Sequence, residues 1–78
     1  MTINIKDILT LSDNNDYIVI SKVDYNNKTY YYLLDKNDSG NILFCYLEND
    51  ELVEVVDKEL NTKLLPLFLK EAEKELNK

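Results

Sequence analysis

Histidine, arginine and tryptophan are missing from the chain, and cysteine, glycine, proline and methionine occur once each. Each shortage excludes something. Histidine is the only side chain whose unperturbed pKa lies between pH 5 and 8, so its absence removes the usual general acid–base and its pairing with a nucleophile. Without arginine there is no planar fork to clamp phosphate or carboxylate. A solitary Gly40 cannot build a glycine-rich phosphate loop. One cysteine, Cys45, excludes a disulfide within the chain. With no histidine beside it, a zinc-type ligand set is equally excluded. No uncharged run approaches the ~20 residues of a membrane-spanning helix. Residues 1–7 lack the apolar stretch of a secretory leader, so the expected location is the cytoplasm.

What is present is acid, lysine and tyrosine. Fifteen aspartates and glutamates face nine lysines, for a net charge of −6 over 78 residues. The surplus concentrates in residues 48–59, where six acids stand against Lys58 alone, a local −5. Nucleic-acid binding requires the opposite sign, and no nucleic-acid partner is expected. The hydrophobic fraction of 45% is that of a globular chain rather than a disordered one. A chain of this length makes one domain, 1–78, and buries about 60% of its unfolded surface.

Clusters of asparagine and aspartate punctuate the chain at 13–16, 26–28, 36–41 and 49–50. These residues suit turns because their side chains bond the nearby backbone and tolerate positive φ. With one glycine available, asparagine is expected at the left-handed positions. The intervening runs 8–12, 17–25, 29–35, 42–48 and 52–56 are rich in β-branched and aromatic residues and read as strands. The runs 29–35 and 42–48 are apolar at both parities, as in strands covered on each side. In 17–25, Ile18 and Ile20 share one parity and Val23 and Tyr25 the other. A bulge near Ser21-Lys22 reconciles them and bends the sheet.

From Asp57 the period lengthens. Leu60, Leu64, Leu67, Phe68, Ala72 and Leu76 form one helical stripe, with Asp57 as N-cap and Lys74 and Lys78 near the far end. Leu52 and Val56 are expected beneath it as part of a shared lid. Pro66 deletes a helix hydrogen bond at a cost of ~3 kcal/mol, so a kink or break is expected at 61–65. The predicted fold is therefore α+β. A curved antiparallel β-meander of about five strands within 8–56, coiled as a half-barrel, precedes a C-terminal amphipathic helix over 57–76, broken near Pro66.

The segment order resembles a known family. Its marks are Asp7-Ile8-Leu9-Thr10-Leu11 before an Asn/Asp turn, then Tyr17-Ile18-Val19-Ile20, Tyr30-Tyr31-Tyr32-Leu33-Leu34 and Glu51-Leu52-Val53-Glu54-Val55-Val56-Asp57, with the final helix. These resemble the domain of unknown function 1292 family, YrzB-like small acidic bacterial proteins, over residues 7–76. The family has no established activity or catalytic residues, so none carries over. The chain departs from its pattern where asparagine replaces acids or glycine in turns, and at Pro66.

The sharpest motif is Asp35-Lys36-Asn37-Asp38-Ser39-Gly40-Asn41-Ile42, which follows the first eight positions of a calcium loop. The twelfth position, normally a bidentate glutamate, is Tyr46, and the flanks read as strands. A polar hairpin turn with Gly40 at positive φ is the preferred reading; weak calcium binding at Asp35, Asn37 and Ser39 is the alternative. Cys45, between Leu43 and Leu47 on one face, is expected to be buried and inert. Six tyrosines suit a sheet surface, and Tyr25 and Tyr31 are the candidates for a binding face. No catalytic residue, cofactor or metal site is expected. The expectation is a non-catalytic interaction or regulatory module using Tyr25, Tyr31, Glu48, Asp50, Glu51 and Glu54 toward a basic protein partner. An acidic decoy of a nucleic-acid-binding protein is the second reading. An uncovered edge strand also offers a route to a homodimer.

Overall fold

Two-residue turns fix two of the four hairpins. The computed structural model describes residues 2–76, and side chains of residues 2–74. Strand β2 (Asp16–Tyr25) turns into β3 (Lys28–Asp35) through Asn26 and Asn27, whose φ angles are 50° and 67°. Strand β4 (Ile42–Glu48) turns into β5 (Glu51–Glu54) through Asn49 and Asp50, at 51° and 65°. Paired positive φ angles give the turn whose twist matches that of the flanking strands. Asparagine and aspartate thus hold nearly all the left-handed positions, Lys6 being the exception at 79°. Gly40 is not at positive φ, contrary to expectation. Its loop closes instead by carboxylates accepting from the backbone: Asp35 Oδ1 from Asn37 N–H at 2.8 Å, and Asp38 Oδ1 from Gly40 N–H at 3.0 Å.

The strands form one antiparallel sheet in the order β1-β2-β3-β4-β5, curled into a half-barrel, with β1 spanning Ile8–Thr10. β1 stops short of the expected residue 12 because the chain turns at once, Leu11 N–H bonding Asn15 and Asn14 N–H bonding Leu11. In β2 the register passes from Val19↔Leu33 to Ser21↔Tyr32, leaving Ile20 as the extra residue. The bulge therefore sits just ahead of the expected Ser21-Lys22.

That bulge makes two cores possible with one strand. Before it, Tyr17 and Val19 join Ile3, Tyr31, Leu33 and Cys45 on one face, with Leu9, Leu11, Leu43, Leu47 and Leu52 packed alongside. After it, Val23 joins Tyr30, Val55, Leu64 and Phe68 on the other. Lys22 Nζ donates to the Ile3 carbonyl at 3.4 Å, holding the N-terminal segment over the first face.

Helix α1 (Lys58–Leu76) covers the second face. Asp57 caps it, Oδ1 accepting from Glu59 N–H at 2.9 Å. The helix runs unbroken through Pro66, which corrects the expected break. Leu64 and Phe68, both at 0% exposure, anchor the turns on either side of the proline. Pro66 and Thr62 both lie on the exposed side, so water reaches the carbonyl left without a donor. Leu60, Leu67 and Ala72 are half-buried on the expected stripe. The side chain of Leu76, and Lys78, lie outside the described residues. The expected lid is also corrected: Leu52 pairs with Leu47 on the face away from the helix, and Val56 is 82% exposed. Val55, at the opposite parity, takes the place beneath the helix. No described helix is long and apolar enough to cross a membrane.

Candidate functional site

The tyrosines are mostly structural. Tyr31 is 5% exposed, on the face covered by Ile3, whereas Tyr25 is half-buried on the helix face. The two proposed binding residues therefore do not share a surface. Burial, and then the nearby Asp24 charge, push the Tyr31 phenol above its ordinary range. On the helix face, aromatic rings pack edge to face: Tyr25 with Tyr30 at 6.4 Å, Tyr30 with Tyr46 at 5.8 Å, and Tyr32 with Phe68 at 5.7 Å. Lys28 Nζ sits 4.3 Å from the Tyr46 ring centre, a cation–π contact.

Cys45 is 2% exposed, and its thiol is pushed up to about 12, first by burial and then by the Glu54 charge. A thiol so rarely ionised is a poor nucleophile and a poor ligand. Glu54 is the direct cross-strand partner of Cys45.

The 35–42 turn forms a network the sequence did not disclose. Asp35, 6% exposed, accepts from Asn41 Nδ2 at 3.1 Å; the same amide donates to the Tyr17 hydroxyl at 3.0 Å. That hydroxyl donates to Asp13 Oδ2 at 2.9 Å. The backbone N–H of Asn15 is the main cause holding the Asp13 carboxyl below its usual range. Burial is the main cause raising the Tyr17 phenol. Both Asp35 oxygens are thus engaged, while Asn37 and Ser39 are exposed. Among the described residues no three aspartate, glutamate, histidine or cysteine side chains stand together as a metal site.

The acids of the β4–β5 hairpin have a more definite setting. Glu48 and Glu51 face each other directly across the Asn49-Asp50 turn, and Glu48, Asp50, Glu51 and Glu54 are all exposed. Like charges in direct opposition destabilise a strand pair. Beside them opens a cleft of about 610 Å³, lined by Thr10, Leu11, Ser12 and Asp13 on one side and Glu51, Leu52 and Glu54 on the other. Leu43 and Cys45 form its floor. An apolar bed with carboxylates at the margins, and no lysine in its lining, suits a cationic guest. Sequence reasoning found the acids but not the cleft. The signal available was the shared parity of Leu52 and Glu54, which puts both over the floor.

Compared with known proteins, the chain matches no family model, no curated protein and no solved structure. The resemblance noted above therefore rests on segment order alone.

Proposed function

We propose that this is a non-catalytic interaction module that receives a basic segment of a protein partner at the cleft between β1 and β5. The observation that carries the reading is the lining: Asp13, Glu51 and Glu54 around Leu11, Leu43, Cys45 and Leu52, with no lysine among them. Acidic margins set encounter rate and partner selection, and the apolar floor adds affinity once water is expelled. The decoy reading is weaker. A mimic of nucleic acid needs carboxylates in a row, and here they surround a depression. In our reading the protein works in the cytoplasm, where a lone buried thiol suits a reducing medium.

Fluorescence anisotropy with labelled lysine-rich and glutamate-rich peptides, at low and high salt, tests this. The lysine-rich peptide should bind, more weakly at high salt, and should lose affinity in a Glu51→Gln, Glu54→Gln variant. Equal binding of both peptides, or of neither, would end the proposal.

A further inference from the structure

Both free edges of the sheet border the same cleft. β5 pairs only with β4, and β1 only with β2. Val55 N–H donates to the Phe44 carbonyl at 2.8 Å. Antiparallel ladders alternate bonded and non-bonded pairs, so the main chains of Val53 and Glu51 also face β4. Those of Leu52 and Glu54 face outward. Opposite them, Leu11 N–H bonds the Asn15 carbonyl and the Asp7 carbonyl accepts from Val19 N–H. The same alternation turns the main chains of Ile8 and Thr10 outward. Thr10, Leu52 and Glu54 all line the cleft. Because every neighbouring pair is antiparallel, β1 and β5 run in the same direction. One more strand, antiparallel to both, is what an alternating closed sheet lacks.

The geometry points to strand addition: an extended partner segment alternating basic and apolar residues enters between β1 and β5 and hydrogen-bonds the main chain of Leu52 and Glu54. The inference rests on the cleft's being a site for a basic partner, and adds how that partner is read. Alternate side chains of an added strand reach opposite faces, so one set lies over Leu43, Cys45 and Leu52. The other set, on the opposite face, carries lysine or arginine to Glu51 and its cross-strand partner Glu48, relieving their opposition. The same carboxylates repel a second β5 edge, so the occupant is a basic segment and not another copy of this chain.

Amide hydrogen exchange on the ¹⁵N-labelled protein tests the inference with two synthetic peptides of equal charge. One alternates lysine and valine; the other alternates lysine and proline, which cannot supply a strand's N–H groups. The lysine–valine peptide should slow exchange at Leu52 and Glu54, and the lysine–proline peptide should not. Glu51→Gln should weaken the first peptide about two- to fivefold, an exposed ion pair having been lost. Glu54→Pro should weaken it further by deleting an outward N–H, while leaving the β4 ladder intact. Equal binding of both peptides without protection overturns strand addition but keeps the basic-partner reading. Binding of neither overturns both. Protection that rises with protein concentration alone overturns it in favour of self-pairing.

Discussion

Val19 and Val23 lie at the same parity of one strand and are both buried, yet they serve opposite faces of the sheet. The extra residue Ile20 between them makes this possible. Ser21 stands at the crossing, at 0% exposure, and its hydroxyl donates to the Phe68 carbonyl at 3.0 Å. One hydrogen bond spanning 47 positions of sequence thus ties the bulged strand to the helix.

Replacing Ser21 by alanine should cost about 1 kcal/mol, the net worth of a buried hydrogen bond whose acceptor keeps its helical partner. Ser21→Leu should cost about 1–3 kcal/mol, because the site has no room for added methylenes. Urea unfolding of the two variants gives both numbers. A leucine variant as stable as the native chain would mean that helix and sheet are not closely packed there.

The helix makes its own prediction at Pro66. Alanine there restores a donor for the Thr62 carbonyl and removes a ring clash, gains worth ~3 kcal/mol in a helix interior. Proline also restricts the unfolded chain, which returns up to about 1 kcal/mol. Pro66→Ala should therefore raise stability by about 2 kcal/mol, read as a higher urea midpoint. By contrast Phe68→Ala should cost about 3–5 kcal/mol, since the ring fills a fully buried site. A domain of this size has roughly 4–12 kcal/mol in all, so that variant should lose a large share of its stability, read as a much lower urea midpoint.

Alkaline pH should weaken the fold through Cys45. Its thiol moves from 9.0 to about 12 on folding, so above pH 9 the unfolded chain loses a proton that the native one keeps. Unfolding then releases protons, and stability falls as pH rises. The contribution is complete below pH 9 and is lost as pH climbs toward about 12. The raised phenols of Tyr17 and Tyr31 act in the same direction. Thermal unfolding between pH 8 and pH 11 should show the decline, and Cys45→Ala should make it shallower. A thiol reagent at neutral pH should label Cys45 far more slowly in the native protein than in urea.

Much of this was readable from residues because it is local. Alternation located the strands, asparagine–aspartate pairs located the hairpin turns, and the apolar flanks of Cys45 foretold its burial. What escaped depends on register. Whether Leu52 or Val55 lies beneath the helix follows from the Glu48↔Glu51 pairing, which a strand pattern alone does not set. The cleft joins residues 10–13 to residues 51–54, and only the curl of the whole sheet brings them together. The Asp13–Tyr17–Asn41–Asp35 network is long-range in the same way, and its members look like ordinary turn residues. Pro66 misled for another reason: propensity counts the lost hydrogen bond but not the two buried anchors flanking it.

Glycine and asparagine exchange their customary roles, and that can be measured. Gly40 has no positive φ, and a Cβ there would meet nothing nearer than Asp38 Oδ1 at 3.4 Å, an ordinary contact. Gly40→Ala should therefore stabilise the fold by about 0.4–1 kcal/mol, by restricting the unfolded chain. Asn26 and Asn27 occupy the left-handed region that the turn between β2 and β3 demands. Alanine at either site should cost about 1–2 kcal/mol, the penalty for a Cβ against the following carbonyl. Glycine at Asn27 should be tolerated and should match or exceed the native residue. Urea midpoints of Gly40→Ala, Asn27→Ala and Asn27→Gly would decide the matter. If Gly40→Ala proved the most damaging of the three, the Asp35 and Asp38 side-chain bonds could not be what shapes the loop.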